Sequence, residues 1–219
     1  MPLSHRKLTV CLTKLRPKCQ GSNRRKLELI CFADSGDEIA MGSLSHTWGT
    51  TPGERIIAFP CDRFIPNPDD SVFRGVTIDA PVEVIFRWLC QMRVAPYSYD
   101  WIDNGGRQSP RELIPGLDNL AVGQDVMRIF NLVDFESGRQ LTLRLKPRSS
   151  ASKTFGDIAV SYVIVPSSSR SCRLLVKLIA TYPPGTKGSF MRAFLPWGDL
   201  IMMRRQLLNL KHLAEQTRR

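Results

Sequence analysis

Eight consecutive residues, Tyr97-Ser98-Tyr99-Asp100-Trp101-Ile102-Asp103-Asn104, concentrate the side chains with most chemical potential in this chain. Aromatic rings with polar tips suit the mouth of a pocket, and a carboxylate beside them can orient a ligand or take a proton. Asp103, and Asp125 further along, are therefore the candidate bases. A structural reading stands beside this one. In it Trp101 plugs a core, while the aspartates cap the turn by accepting local backbone hydrogen bonds.

Other chemistries find little support. His5, His46 and His212 are far apart, and no HExxH or paired-cysteine spacing occurs, so no metal site is expected. Ser150-Ala-Ser-Lys153 spells Ser-x-x-Lys, but in a polar loop rather than at a helix start. Gly-x-Ser-x-Gly, P-loop and GxGxxG motifs are missing, nothing nominates a Ser-His-Asp triad, and no cofactor is expected.

The elements that must position the octapeptide follow from hydrophobic period. Residues 72–78 (VFRGVTI) read as a strand, and Pro81 as the first residue of a helix, where its missing N–H costs nothing. Val84, Ile85, Trp88, Leu89 and Met92 form one apolar face of that helix, which Pro96 stops. Ser109-Pro110-Arg111-Glu112 predicts a second short helix, with serine as cap and glutamate three residues on; Pro115-Gly116 ends it. From Val122 the period becomes two, predicting strands over 122–130, 139–146, 157–165 and 172–182. Glu136-Ser-Gly-Arg139 reads as a hairpin turn, residues 147–153 as a polar turn, and residues 166–170 as a serine-rich loop. A last helix opens around Phe190 and becomes regular near residues 197–199, because Pro196 is tolerable only near a start or a kink. Leu200, Met203, Leu207, Leu210 and Ala214 form its buried stripe, widened by Ile201 and Leu208.

Before this core, residues 45–71 are rich in Gly, Pro, Thr and Asp and read as an extended connector packing on the domain. Residues 26–33 (KLELICFA) alternate like a strand, and 38–44 could return as the second arm of a hairpin. Of the net charge of +11, most lies in residues 1–30, which hold eight basic residues against Glu28 alone. Residues 1–44 thus form a basic extension, read as a solvated arm that lacks the interleaved aromatics of a nucleic-acid platform. No specific nucleic-acid partner is expected. The domain proper spans 72–219. Cys11, Cys19, Cys31, Cys61, Cys90 and Cys172 are scattered without a framework, which fits reduced thiols in a cytoplasmic protein. No stretch approaches the roughly 20 apolar residues of a membrane span, so no membrane insertion is expected.

A strand, short helices, antiparallel strands and a long C-terminal helix give an α+β fold with helices on one face of a curved sheet. Such a grip leaves a cavity between sheet and helix, a natural small-molecule site. Its expected lining is Trp88, Met92, Tyr97, Tyr99, Trp101, Met127, Phe130, Trp197 and Met203, each of which would otherwise be ordinary core.

The residues from Trp48 onward resemble the START-like helix-grip superfamily, SRPBCC. More narrowly they resemble a bacterial group of uncharacterised SRPBCC proteins. The likeness rests on Trp48-Gly49, Pro60-Cys61-Asp62, Ala80-Pro81, Trp88-Leu89-Cys90-Gln91, the octapeptide, and Val122-Gly123-Gln124-Asp125. Cys61 stands where the group tends to have glycine, and Arg93-Val94 where it favours glycine-rich sequence. The resemblance implies a helix-grip domain with a hydrophobic cavity, on a scaffold that hosts carriers and enzymes alike. Three functions follow: binding a small hydrophobic or amphipathic molecule without chemistry, cyclase or dehydratase chemistry on a cavity carboxylate, or an interaction module with a filled interior.

Overall fold

The structure, a computed structural model, describes residues 41–217, with side chains from Leu44 onward. The strand expected over 26–33 and most of the basic extension lie outside the described residues. Six strands make one antiparallel sheet: β1 (Asp70–Ile78), β2 (Asp125–Val126), β3 (Phe130–Glu136), β4 (Gln140–Leu145), β5 (Asp157–Ser168) and β6 (Ser171–Thr181). Their order is β1-β6-β5-β4-β3-β2, so the sheet opens on the first strand and meanders back from the last. The helices are α1 (Met41–Thr47), α2 (Pro52–Arg55), α3 (Val82–Cys90), α4 (Asp100–Asp103), α5 (Ser150–Phe155) and α6 (Thr186–Thr217). A curved antiparallel sheet holding one long C-terminal helix is the helix-grip arrangement expected from the sequence.

Alternation places the core. Val72, Val76 and Ile78 of β1, Val160 and Ile164 of β5, and Leu174 and Val176 of β6 point to one face and pack with α3 and α6. Leu207, Leu210 and Ala214 of α6 are fully buried there, and each leucine contributes about 1.5–3 kcal/mol by leaving water. The opposite face of β5 and β6 offers Ala159, Leu175 and Ile179, which Phe59, Cys61 and Ile65 of the connector cover. Strands β5 and β6 are therefore buried on both faces over this stretch. Connector and sheet also meet where Gly49 crosses Gly75. A Cβ on Gly49 would sit 2.1 Å from the Gly75 carbonyl oxygen, and Gly49 has a φ of +74°. Only glycine fits that crossing.

Several expectations are corrected. Residues 41–44 begin α1 rather than a returning strand. Pro81 is the N-cap of α3 rather than its first helical residue, so the helix begins at Val82, one residue later than expected. No helix forms at 109–115: Ser109 is drawn instead onto the Asp100 carboxylate, and its place is taken by α4 inside the octapeptide. The strand expected over 122–130 is broken, because Met127 and Arg128 adopt left-handed φ of 47° and 64°, and β3 begins only at Phe130. Residues 150–155 are helical, capped by Ser149. The serine-rich stretch is largely strand, since β5 runs to Ser168. Finally α6 starts at Thr186, ahead of Pro196, and Ile201 is exposed rather than part of the buried stripe.

Candidate functional site

A cavity of about 340 Å³ lies between the sheet and α6. Its walls come from three places: Val160, Tyr162 and Leu178 on the sheet, Asp199, Met202, Met203 and Gln206 on α6, and Pro96, Ser98 and Asp103 beside residues 127–130. Most of this lining is apolar, and Ser98, Asp103, Arg128, Tyr162, Asp199 and Gln206 add polar side chains to it.

Gln206 ties the region together from the buried side of α6. Its Nε2 donates to the Pro96 carbonyl at 2.6 Å and touches Met127 Sδ at 3.3 Å, while its Oε1 accepts from the Tyr162 hydroxyl at 2.8 Å. One amide thus fixes both strained segments, the one at Tyr97 (φ 60°) and the one at residues 127–128. Buried amides of this kind specify geometry because each unmade bond would be costly. Two turns earlier, Asp199 faces Arg74, which projects from β1 between Val72 and Val76. Arg74 Nη2 stands 2.8 Å from Asp199 Oδ2 and 3.1 Å from the Pro196 carbonyl, to which it donates. The Arg74 guanidinium is 1% exposed, and its Nε has no protein partner. Burial pushes the Asp199 carboxyl above its ordinary range against the pull of Arg74. Burial also pushes the Tyr162 hydroxyl up, helped by the nearby Asp199 charge.

The octapeptide's two aspartates divide the roles proposed for them. Asp100 holds the turn: its carboxylate accepts from the Ser109 N–H at 2.9 Å and the Ser109 hydroxyl at 2.5 Å. Its carbonyl accepts from Asn104 and Gly106. Asp103 is different. It lines the cavity, accepts from the Ser98 hydroxyl on Oδ2, and keeps a buried Oδ1 without any partner. Burial raises its carboxyl above the usual value, with Ser98 pulling the other way.

Of the residues expected to line the cavity, Met127, Phe130 and Met203 do so, together with Asp103. Trp88 and Met92 are closed core, with Trp88 Nε1 donating to Thr217 Oγ1 at 3.0 Å. Tyr97, Tyr99 and Trp101 lie on the other side of their loop, in an outer groove. Trp197 is half-exposed on α6. Asp125 is a surface residue paired with Lys146 at 2.7 Å. Arg74, Tyr162, Asp199 and Gln206 were not nominated from the sequence. A signal existed for three of them: Asp199 and Gln206 fall in register with the buried stripe of α6, and Arg74 occupies an inward position of β1. Among the described residues, no group of three or more His, Cys, Asp or Glu could hold a metal ion, and no helix is long and apolar enough to cross a membrane.

No protein-family profile matches the chain, and no curated protein matches it. Solved structures do. Protein MLL2253 from Mesorhizobium loti is similar at 15% identity and a TM-score of 0.44, over 68% of this chain and 98% of that one. The Zhui aromatase/cyclase from a Streptomyces species is similar at 14% identity and a TM-score of 0.44, over 68% and 96%. Norcoclaurine synthase from Thalictrum flavum is similar at 9% identity and a TM-score of 0.38, over 67% and 87%. The fold assignment stands on strand order, register and α6 rather than on these similarities.

Proposed function

We propose that this chain binds a small, mostly apolar molecule with one polar end inside the cavity, and holds it without transforming it in the cytoplasm. The observation that carries this reading is the composition of the 340 Å³ cavity: methionine, isoleucine, phenylalanine and valine walls with a few polar groups, among them the bonded pair Tyr162 and Gln206 and the carboxyls of Asp103 and Asp199. Apolar walls supply affinity by removing ligand surface from water, while a few placed polar groups fix orientation. Met127, Met202 and Met203 add flexible, polarizable walls that accommodate more than one ligand shape.

The test is calorimetric titration with 1-naphthol, an apolar bicycle carrying one hydroxyl. Wild type binds it, whereas Met203→Trp fills the cavity and abolishes binding. Equal binding by both proteins would overturn the reading.

One observation favours a second reading, an acid–base enzyme of the cyclase or dehydratase kind. Asp103 and Asp199 both border the cavity with carboxyls raised by burial, Asp199 near the Tyr162 hydroxyl. A carboxyl raised by burial is a stronger base than an exposed one and suits proton transfer better. Carbon-detected NMR titration decides it: both carboxyls titrating at or below the ordinary 3.8 would remove this reading.

A further inference from the structure

On the outer side of the octapeptide, between that loop and the C-terminal half of α6, runs a groove of about 650 Å³. Its chemistry is unlike that of the inner cavity. Trp101 is 75% exposed on its rim, an unusual position for so large an apolar side chain. Arg205 lies 5.9 Å from the Tyr99 ring centre, and Arg111 faces the same space. Neither arginine pairs with a carboxylate among the described residues. Asp100, the carboxylate bordering the groove, is already occupied by Ser109.

Tyr97 adds two independent observations. It borders the groove while being 2% exposed, and its buried hydroxyl has no hydrogen-bond partner. Its backbone is held at a φ of 60° by Asn209 and Gln206, which bond the Tyr97 and Pro96 carbonyls. That conformation costs roughly 1–2 kcal/mol in an ordinary residue. Strain of this sort, kept by the buried Gln206 amide and the part-buried Asn209 amide, collects at binding sites.

We propose that this groove is a second binding site, separate from the inner cavity, for a flat aromatic carboxylate. The ring stacks against Trp101 and Tyr99, and the guanidinium groups of Arg111 and Arg205 donate charge-assisted hydrogen bonds to the carboxylate. The Tyr97 hydroxyl gains the partner it lacks in the protein. Two guanidinium groups without a carboxylate partner select an anion over a neutral ring, and the exposed Trp101 face selects a ring over an inorganic anion.

The test uses the full chain and 2-naphthoate, titrated calorimetrically at fixed salt. Arg205→Gln and Arg111→Gln each weaken binding roughly tenfold, as expected for loss of a charge-assisted hydrogen bond. The uncharged 2-naphthamide binds wild type weaker by a similar factor. Tyr97→Phe lowers affinity without lowering Tm, because the hydroxyl it removes has no partner in the unliganded protein. Met203→Trp, which closes the inner cavity, leaves naphthoate affinity unchanged. Equal affinity for acid and amide, undiminished binding by both arginine variants, loss of binding in Met203→Trp alone, or no binding at millimolar naphthoate would each overturn the proposal.

Discussion

Two arginine–carboxylate pairs of opposite character flank β1. On the outer face Arg173, paired with β1, bonds Glu54 twice at 2.7 and 2.9 Å and also donates to the Gly49 carbonyl and Thr77. Glu54 closes the capping box of α2 with Thr51, and Arg173 holds its carboxyl below the usual range. Inside, Arg74 and Asp199 make contact, yet Arg74 Nε is orphaned and burial drives the Asp199 carboxyl up. The outer pair is a clasp with its bonding capacity used. The inner pair keeps capacity in reserve beside a cavity, which is the pattern of a site built for something besides stability.

Blocking the Gly49–Gly75 crossing beside the clasp gives the largest expected effect. Gly49→Ala drives a methyl into the Gly75 carbonyl at a left-handed φ and costs roughly 4 kcal/mol, measured by denaturant unfolding. Arg74→Met strands Asp199 and costs roughly 3 kcal/mol, whereas the Arg74→Met/Asp199→Leu double variant recovers at least half of that. A double variant no more stable than the single one would show the inner pair to be another clasp. Arg173→Ala removes the outer bonds at a cost of roughly 2 kcal/mol, since Glu54 stays near water.

The smallest effect has the clearest sign. The Glu54 carboxyl is lowered on folding, so its contribution is complete above its usual 4.5 and fades as pH falls through the lowered value. Asp103 runs the other way: raised on folding, it weakens the fold at neutral pH, and that cost disappears as pH falls toward 3.8. Asp103→Asn is therefore slightly more stable than wild type at pH 7 and no more stable at pH 3.5. Thermal melts across that range check both signs.

The architecture was legible because it rests on period. The strands at β1, β4, β5 and β6 and the stripe Leu200-Met203-Leu207-Leu210 each repeat a pattern long enough to read. What failed was local and governed by long-range partners. Ser109 has every mark of a helix cap, but Asp100, nine residues earlier, captures it. Residues 122–130 alternate like one strand, yet the break at Met127 is held by the Met92 carbonyl and Gln206, both distant in sequence. The aromatic octapeptide was legible as a site, but not which of its sides faces the interior: Asp103 turns inward and Trp101 outward. Polar residues in apolar register, Arg74, Asp199 and Gln206, carried the signal for the cavity's bonding corner.

The most direct test of the central claim is native mass spectrometry of the freshly purified full chain beside Met203→Trp. A small-molecule adduct that survives desalting on wild type and is lost from Met203→Trp is the predicted result. A wild-type spectrum showing only the bare chain, or an adduct retained in full by Met203→Trp, would contradict a ligand held between sheet and α6.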